Sequence, residues 1–141
     1  MKRELFIQYA LQFVGAPYRF GSNGPGDWDC SGLVLEFCRA CGLNPPQRDM
    51  SAQMIHDWVI KLRNFNQGVP VGTFLFYGKS NKEINHVALL LDAQTLIEAG
   101  GGDATTTNLQ AAQARGWAMV RLRKIGHRRD LVAQHNPGMV L

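Results

Sequence analysis

The sequence predicts an α+β domain, with N-terminal helices packed on a central antiparallel sheet. Three observations predict it. Apolar residues recur at helical spacing in three segments before residue 63, and strand formers dominate from 71 to 125. Helices and strands are segregated along the chain rather than alternating, which disfavours a parallel α/β sheet. The 141 residues suit one domain with one core.

The elements follow in order. Residues 3–14 place Leu5, Ile7, Ala10, Leu11 and Val14 near one helical face, and Gly15-Ala16-Pro17 stops that helix. Tyr18 to Trp28 holds Gly21, Gly24, Pro25 and Gly26 and reads as a loop. Asp29 caps a second helix, whose stripe is Leu33, Val34, Phe37, Cys38 and Cys41, and Gly42 closes it. Ser51 opens a third, with Met54, Ile55, Trp58, Val59 and Leu62 inward and His56 off the stripe and exposed. Val71 to Tyr77 is a strand. His86 to Leu91 is another, with a continuous apolar run that predicts burial on both faces. Thr95 to Ala99 is a third, ended by Gly100-Gly101-Gly102. Residues 108–115 suit a short helix. Ala118 to Ile125 alternates apolar with basic residues and reads as an edge strand. The domain is thus expected over 1–125, and 126–141 is expected to be a mobile tail.

Composition excludes several classes. An apolar fraction of 45% with 18% charged residues is incompatible with disorder. No stretch approaches the roughly 20 apolar residues of a spanning helix. The net charge of +4 favours anionic surroundings without selecting nucleic acid, lipid or wall polymer. Much of it lies in Arg121, Arg123, Lys124, Arg128 and Arg129, expected on the wet side of an edge strand and in the tail. Three cysteines give no complete disulfide framework. The N-terminal stretch is interrupted by Gln8, Tyr9 and Gln12, unlike the apolar core of an export signal, so delivery by another agent is expected if the chain works outside the cytoplasm.

Cys30 is the first candidate for chemistry. It follows the cap Asp29 and begins a helix at the end of a glycine-rich loop. The helix dipole stabilises thiolate there, and glycines let a substrate backbone approach. Cys38 and Cys41 form a C-x-x-C, but both lie on the buried stripe and no second ligand pair follows, so packing is the expectation and no metal is implied. Of four histidines, His86 opens an apolar strand after a polar loop, a rigid and accessible place for a base. Glu98 lies twelve residues later. That even separation puts both side chains on one sheet face if the turn is Asp92-Ala93-Gln94. A carboxylate there can orient the imidazole; Asp92 and Asp103 are fallback partners.

Gly-Ala-Pro-Tyr-Arg-Phe-Gly at 15–21, Asp-Cys-Ser-Gly at 29–32 and Asn-His-Val-Ala-Leu-Leu-Leu at 85–91 resemble the NlpC-type family of papain-like cysteine peptidases, over roughly residues 3–125. The resemblance implies a papain-like fold and cleavage of peptidoglycan stem peptides, usually between D-glutamate and a diamino acid. It implies Cys30 as nucleophile, His86 as base, Tyr18 beside the nucleophile as an oxyanion donor, and Asp29 and Ser31 as contacts for the free amine of the stem peptide. The third catalytic position falls on Glu98, where many members have histidine; Asn85 stands where glycine or serine is common. No cofactor is implied, and the expected partner is peptidoglycan or its muropeptides rather than nucleic acid or a membrane. An amidase or acyltransferase on the same scaffold, or a non-catalytic wall-binding or phage structural protein, are the alternatives. The expected settings are a phage lysis or tail-associated enzyme, an effector injected by a secretion machine, or a domain excised from a longer exported protein.

Overall fold

The structure is a computed structural model, and it describes residues 1–62 and 70–138. Three helices come first: α1 (Arg3–Leu11), α2 (Cys30–Ala40) and α3 (Ala52–Val59). Strands β1 (Phe74–Gly78), β2 (Ile84–Leu90) and β3 (Thr95–Gly100) follow, then α4 (Leu109–Ala114), β4 (Met119–Lys124) and β5 (Leu131–His135). The strands form one antiparallel sheet in the order β4-β3-β2-β1-β5.

The caps are those the sequence demands. Asp29 accepts a hydrogen bond from the Gly32 N–H at 2.7 Å, and Ser51 accepts one from the Met54 N–H at 3.1 Å. Gly42 has φ +83°, a left-handed turn that ends α2 at little steric cost. The stripe of α2 is buried at Leu33, Val34, Phe37 and Cys38, with Cys41 packed at its margin.

Two other helical stripes are displaced from expectation. In α1 the inward residues are Phe6 and Ala10, whereas Leu5 and Leu11 are exposed; the helix ends at Leu11 rather than at 14, and Val14 beyond it is exposed too. The aromatic rings decide this: Phe6, Tyr9 and Phe13 all pack edge-on against Phe37. In α3 it is His56, with Ile55 and Val59, that is buried, while Met54 is exposed. Asp57 holds the His56 Nδ1 at 3.0 Å and Phe76 meets its ring edge-on, so burial does not leave the ring unsatisfied.

The sheet is buried on both faces, as the run from Val87 to Leu91 requires. Phe74, Phe76, Val87, Leu89, Ile97 and Val120 face the helices. Leu75, Tyr77, Ala88, Leu90 and Leu96 face the other way. What covers this second face is the segment expected to be a mobile tail. Strand β4 lies at one edge and β5 at the other, so residues 125–130 cross the sheet between them. Arg128 stacks on the Tyr77 ring at 4.8 Å, and the Gly78 N–H bonds the Asp130 carbonyl at 2.9 Å. Strand β5 then pairs with β1, Phe74 opposite His135, and Leu131 joins the second core. Residues 139–141 of the tail lie outside the described residues.

Candidate active site

The site joins the start of a helix to two neighbouring strands. Cys30 is the first residue of α2 and is half-buried. Its backbone N–H belongs to the first turn, which has no intrahelical acceptor, and forms part of the positive end of the helix dipole. His86 lies near the start of β2, after a register shift that lets the 79–83 loop return, and is 8% exposed. Glu98 lies on β3 and is 2% exposed. The connection between β2 and β3 is the three-residue turn anticipated, closed by the Leu91 N–H on the Thr95 carbonyl at 2.8 Å. His86 and Glu98 therefore project from one face, the face of Ala88 and Leu96.

The geometry of the array is specific. His86 Nε2 is 2.8 Å from Glu98 Oε1, and the ring's other side hydrogen-bonds Cys30. Because the carboxylate only accepts, Nε2 carries the proton and Nδ1 is the atom offered to sulfur. Burial alone would push the proton off His86; the hydrogen bonds to Cys30 and Glu98, and their negative charges, outweigh it and raise its pKa. Glu98 is held well below the usual carboxylate range. Burial opposes its ionisation, but the His86 hydrogen bond and the charges of His86, His127 and Arg121 prevail. A thiol, an imidazole and an ionised carboxylate in series can support a thiolate–imidazolium pair, a group competent in nucleophilic attack.

Cys30 lies between two clefts. The larger, of about 540 Å³, is lined by His86, Glu98, Gly100 to Ala104, Arg121, Arg123, His127 and Arg128. The smaller, of about 320 Å³, holds Asp29, Ser31, Asp49 and Met50 and no basic residue. Tyr18, Phe20, Cys30 and Asn85 line both. Tyr18 is buried, and its phenol stays protonated because burial and then the nearby Cys30 and Asp29 charges push its pKa up. A third groove of about 560 Å³, at Tyr9, Phe13, Trp28 and Arg48, contains none of the array.

The three successive glycines at the end of β3 and just beyond it, Gly100 to Gly102, gain a reason here. A Cβ on Gly100 would lie 2.5 Å from Glu98 Oε2, one on Gly101 3.1 Å from the Arg121 guanidinium, and one on Gly102 2.2 Å from the Tyr18 ring. Three side chains of the cleft use the space those glycines leave.

Other expected residues divide. Asp29 spends most of its acceptor capacity on the scaffold: Oδ1 takes Gly32 N–H and the Ser31 hydroxyl, and Oδ2 takes Gly21 N–H at 3.0 Å. Burial raises its pKa against those bonds. Asp92 stays in the turn, accepting from the Gln94 and Thr95 N–H groups. Asp103 lines the larger cleft but pairs with Arg115 at 3.0 Å. Two residues beside Glu98 escaped sequence reasoning. Arg121, assigned to the wet side of an edge strand, donates to Glu98 Oε2 from Nε at 3.2 Å. His127, assigned to a tail, lies 3.5 Å from Glu98 Oε1. The short apolar run Leu131-Val132-Ala133 was the available signal for a returning strand that carries His127 inward. Among the described residues no cluster of three or more His, Cys, Asp or Glu could hold a metal, and no helix is long and apolar enough to cross a membrane.

Fold and site together define a papain-like α+β domain bearing a cysteine–histidine–glutamate array. The NlpC/P60 family model matches residues 15–123, and the chain belongs to that family. Probable endopeptidases of Mycobacterium tuberculosis and Mycobacterium bovis are 46% identical over 44 residues, 31% of this chain and 11% of theirs. The chain thus spans about a tenth of the length of these relatives. Solved structures agree in fold. The NlpC/p60 domain of the peptidoglycan hydrolase SagA superposes with a TM-score of 0.64 at 18% identity, covering 96% of this chain and 98% of that one. RipD of Mycobacterium tuberculosis, described as a non-catalytic NlpC/p60 domain adapted to peptidoglycan binding, gives 0.62 at 18%, covering 95% of each chain. A lipoprotein-like NLP/P60 protein of Staphylococcus aureus gives 0.64 at 20%, covering 99% of this chain and 41% of that one.

Proposed function

We propose that this chain is a cysteine endopeptidase that hydrolyses peptidoglycan stem peptides at the D-glutamyl–diamino acid bond. The observation that carries the reading is the intact series Cys30, His86, Glu98, opened to two clefts at the sulfur. Cys30 thiolate attacks the scissile carbonyl, and the thiol proton resides on His86. The Cys30 backbone N–H and the Tyr18 hydroxyl receive the oxyanion. His86 gives its proton to the leaving amine, a thioester remains on Cys30, and His86 then takes a proton from the water that hydrolyses it. Glu98 keeps the ring oriented throughout.

Charge supports a direction for the substrate. Asp29 and Asp49, with Ser31, make the smaller cleft suited to an ammonium, such as the free amine of the stem peptide. Arg123, exposed in the larger cleft, suits a carboxylate on the diamino acid. A neutral acyl chain, which an acyltransferase would need to hold, finds few apolar side chains in either cleft.

Digestion of purified muropeptides tests the proposal. The wild type releases diamino-acid-containing products identified by mass, and Cys30→Ala releases none. Equal cleavage by both overturns the nucleophile. Retention of muropeptides by the wild type without cleavage places the chain with the wall-binding alternative.

A further inference from the structure

The Glu98 carboxylate has two oxygens and three basic neighbours. Oε1 meets His86 Nε2 at 2.8 Å and His127 Nε2 at 3.5 Å; Oε2 meets Arg121 Nε at 3.2 Å. The side chain is 1% exposed, so water screens none of these charges effectively. Arg121 stands directly opposite Glu98 in the β3–β4 register, and its guanidinium lies against Gly100 and Gly101, where any Cβ would crowd it. Strand pairing and the glycine run thus both serve this contact. His127 arrives from the segment that crosses the sheet. Its Nδ1 is buried without a hydrogen-bond partner. The neutral ring must therefore carry its proton on Nε2, facing Glu98, and a second proton would enter a place with no acceptor.

We infer that Arg121 and His127 are positioning residues: acting through Glu98, they fix the carboxylate against His86 and divide its charge, so that the imidazole is anchored but not over-committed to its proton. This inference rests on the reading of Cys30 and His86 as nucleophile and base. A buried carboxylate with His86 as sole partner would bind the imidazolium too tightly for easy release to a leaving amine. A permanent cation at Oε2 offsets that pull at every pH of interest. His127 offsets it only where it is protonated, and burial holds its pKa down, so its contribution is confined to acid. The other groups that face this cluster are Cys30 from α2, Tyr77 from β1, Arg123 from β4, and Arg128 and Asp130 from the crossing segment. Arg128 is paired with Asp130 in a two-bond contact, and Tyr77 is kept protonated by burial and then by the Glu98 charge. Besides His86, Arg121 and His127 are the basic groups that stand within 4 Å of the Glu98 carboxylate.

The test is the pH dependence of Cys30 alkylation by iodoacetamide, read by mass spectrometry on the folded full chain, which requires no substrate. In Arg121→Gln both limbs of the profile move to higher pH, by about 0.5–1 unit for loss of one nearby cation. In Arg121→Lys, which keeps the charge but not the Nε geometry, the shift is smaller. In His127→Gln the profile above neutral pH is unchanged, and reactivity falls only on the acid side. Circular dichroism confirms that each variant is folded. If wild-type Cys30 reacts no faster than a free thiol, the nucleophile reading itself fails, and this inference with it. If wild-type Cys30 is activated and the limbs stay in place in Arg121→Gln and His127→Gln, the positioning role alone is overturned.

Discussion

Replacing Glu98 by glutamine isolates what the carboxylate's charge does for His86. The substitution keeps the volume of a side chain packed against Gly100 and leaves a carbonyl oxygen able to accept from His86 Nε2. What disappears is a charge 2.8 Å from the imidazole. A hydrogen bond to a charged group is worth about 1.5–3 kcal/mol net. At about 1.4 kcal/mol per pKa unit, that corresponds to a fall of about 1–2 units in the His86 pKa. The sign is unambiguous. Glu98 stabilises the imidazolium, so its neutralisation makes His86 lose its proton earlier, and the residual Arg121 cation pushes in the same direction. The assay is kcat/KM against pH on a muropeptide, with KM followed separately. The alkaline limb moves down by that amount and kcat falls, while KM, which depends on cleft contacts remote from Oε1, changes little. An alkaline limb that stays in place in a folded Glu98→Gln would refute the argument that this carboxylate sets the base. Glu98→Ala is a poorer probe, because it leaves Arg121 and two histidines facing an empty buried space, at about 3–5 kcal/mol of stability.

The remaining predictions concern scaffold, cleft and pH. Gly102→Ala forces the Tyr18 ring to move, since the new methyl would lie 2.2 Å from it; peptide turnover falls by about 100- to 1,000-fold, the worth of one oxyanion donor, while Cys30 alkylation is little changed. Asp29→Ala removes the cap of α2 and costs about 1 kcal/mol in urea unfolding, and Asp29→Asn recovers most of it. Stability against pH has two limits. Glu98 is depressed from 4.5 to about 2, so its contribution is present above about pH 4.5 and is lost as pH falls through the folded value. His86 is raised from 6.5 to about 9, so its contribution is present below 6.5 and is lost as pH rises toward 9. Thermal unfolding midpoints are therefore highest between these limits, and Glu98→Gln flattens both flanks. Deletion from Gly126 onward uncovers Leu75, Tyr77 and Leu96 and abolishes cooperative unfolding.

Much of this was legible before any coordinates, and the reasons are local. Caps, glycines and prolines act within a few residues, so the starts of α2 and α3 could be read at Asp29 and Ser51. Parity along strands is equally local: the twelve-residue separation and three-residue turn placed His86 and Glu98 on one face. Failures came where distant partners decide. Leu5 and Leu11 looked as buriable as Phe6, and only the rings across from α1 distinguish them. His56 found an acceptor next door and an aromatic edge from β1, so it could be buried against the helical pattern. Arg121 and His127 looked like solvated charge because their partner is a single carboxylate 23 and 29 residues away in sequence. An edge strand ordinarily carries its basic residues into water; here one face of β4 turns back over a buried acid.

The proposed hydrolysis requires that His86 ionise the Cys30 sulfur in the resting protein. The most direct measurement is the thiolate absorbance near neutral pH, titrated in the wild type and in Cys30→Ser and His86→Ala. The wild type shows a thiolate signal near neutral pH, as the Cys30–His86 hydrogen bond implies, and that signal is absent in Cys30→Ser and in His86→Ala. A titration identical in the wild type and His86→Ala contradicts the thiolate–imidazolium pair.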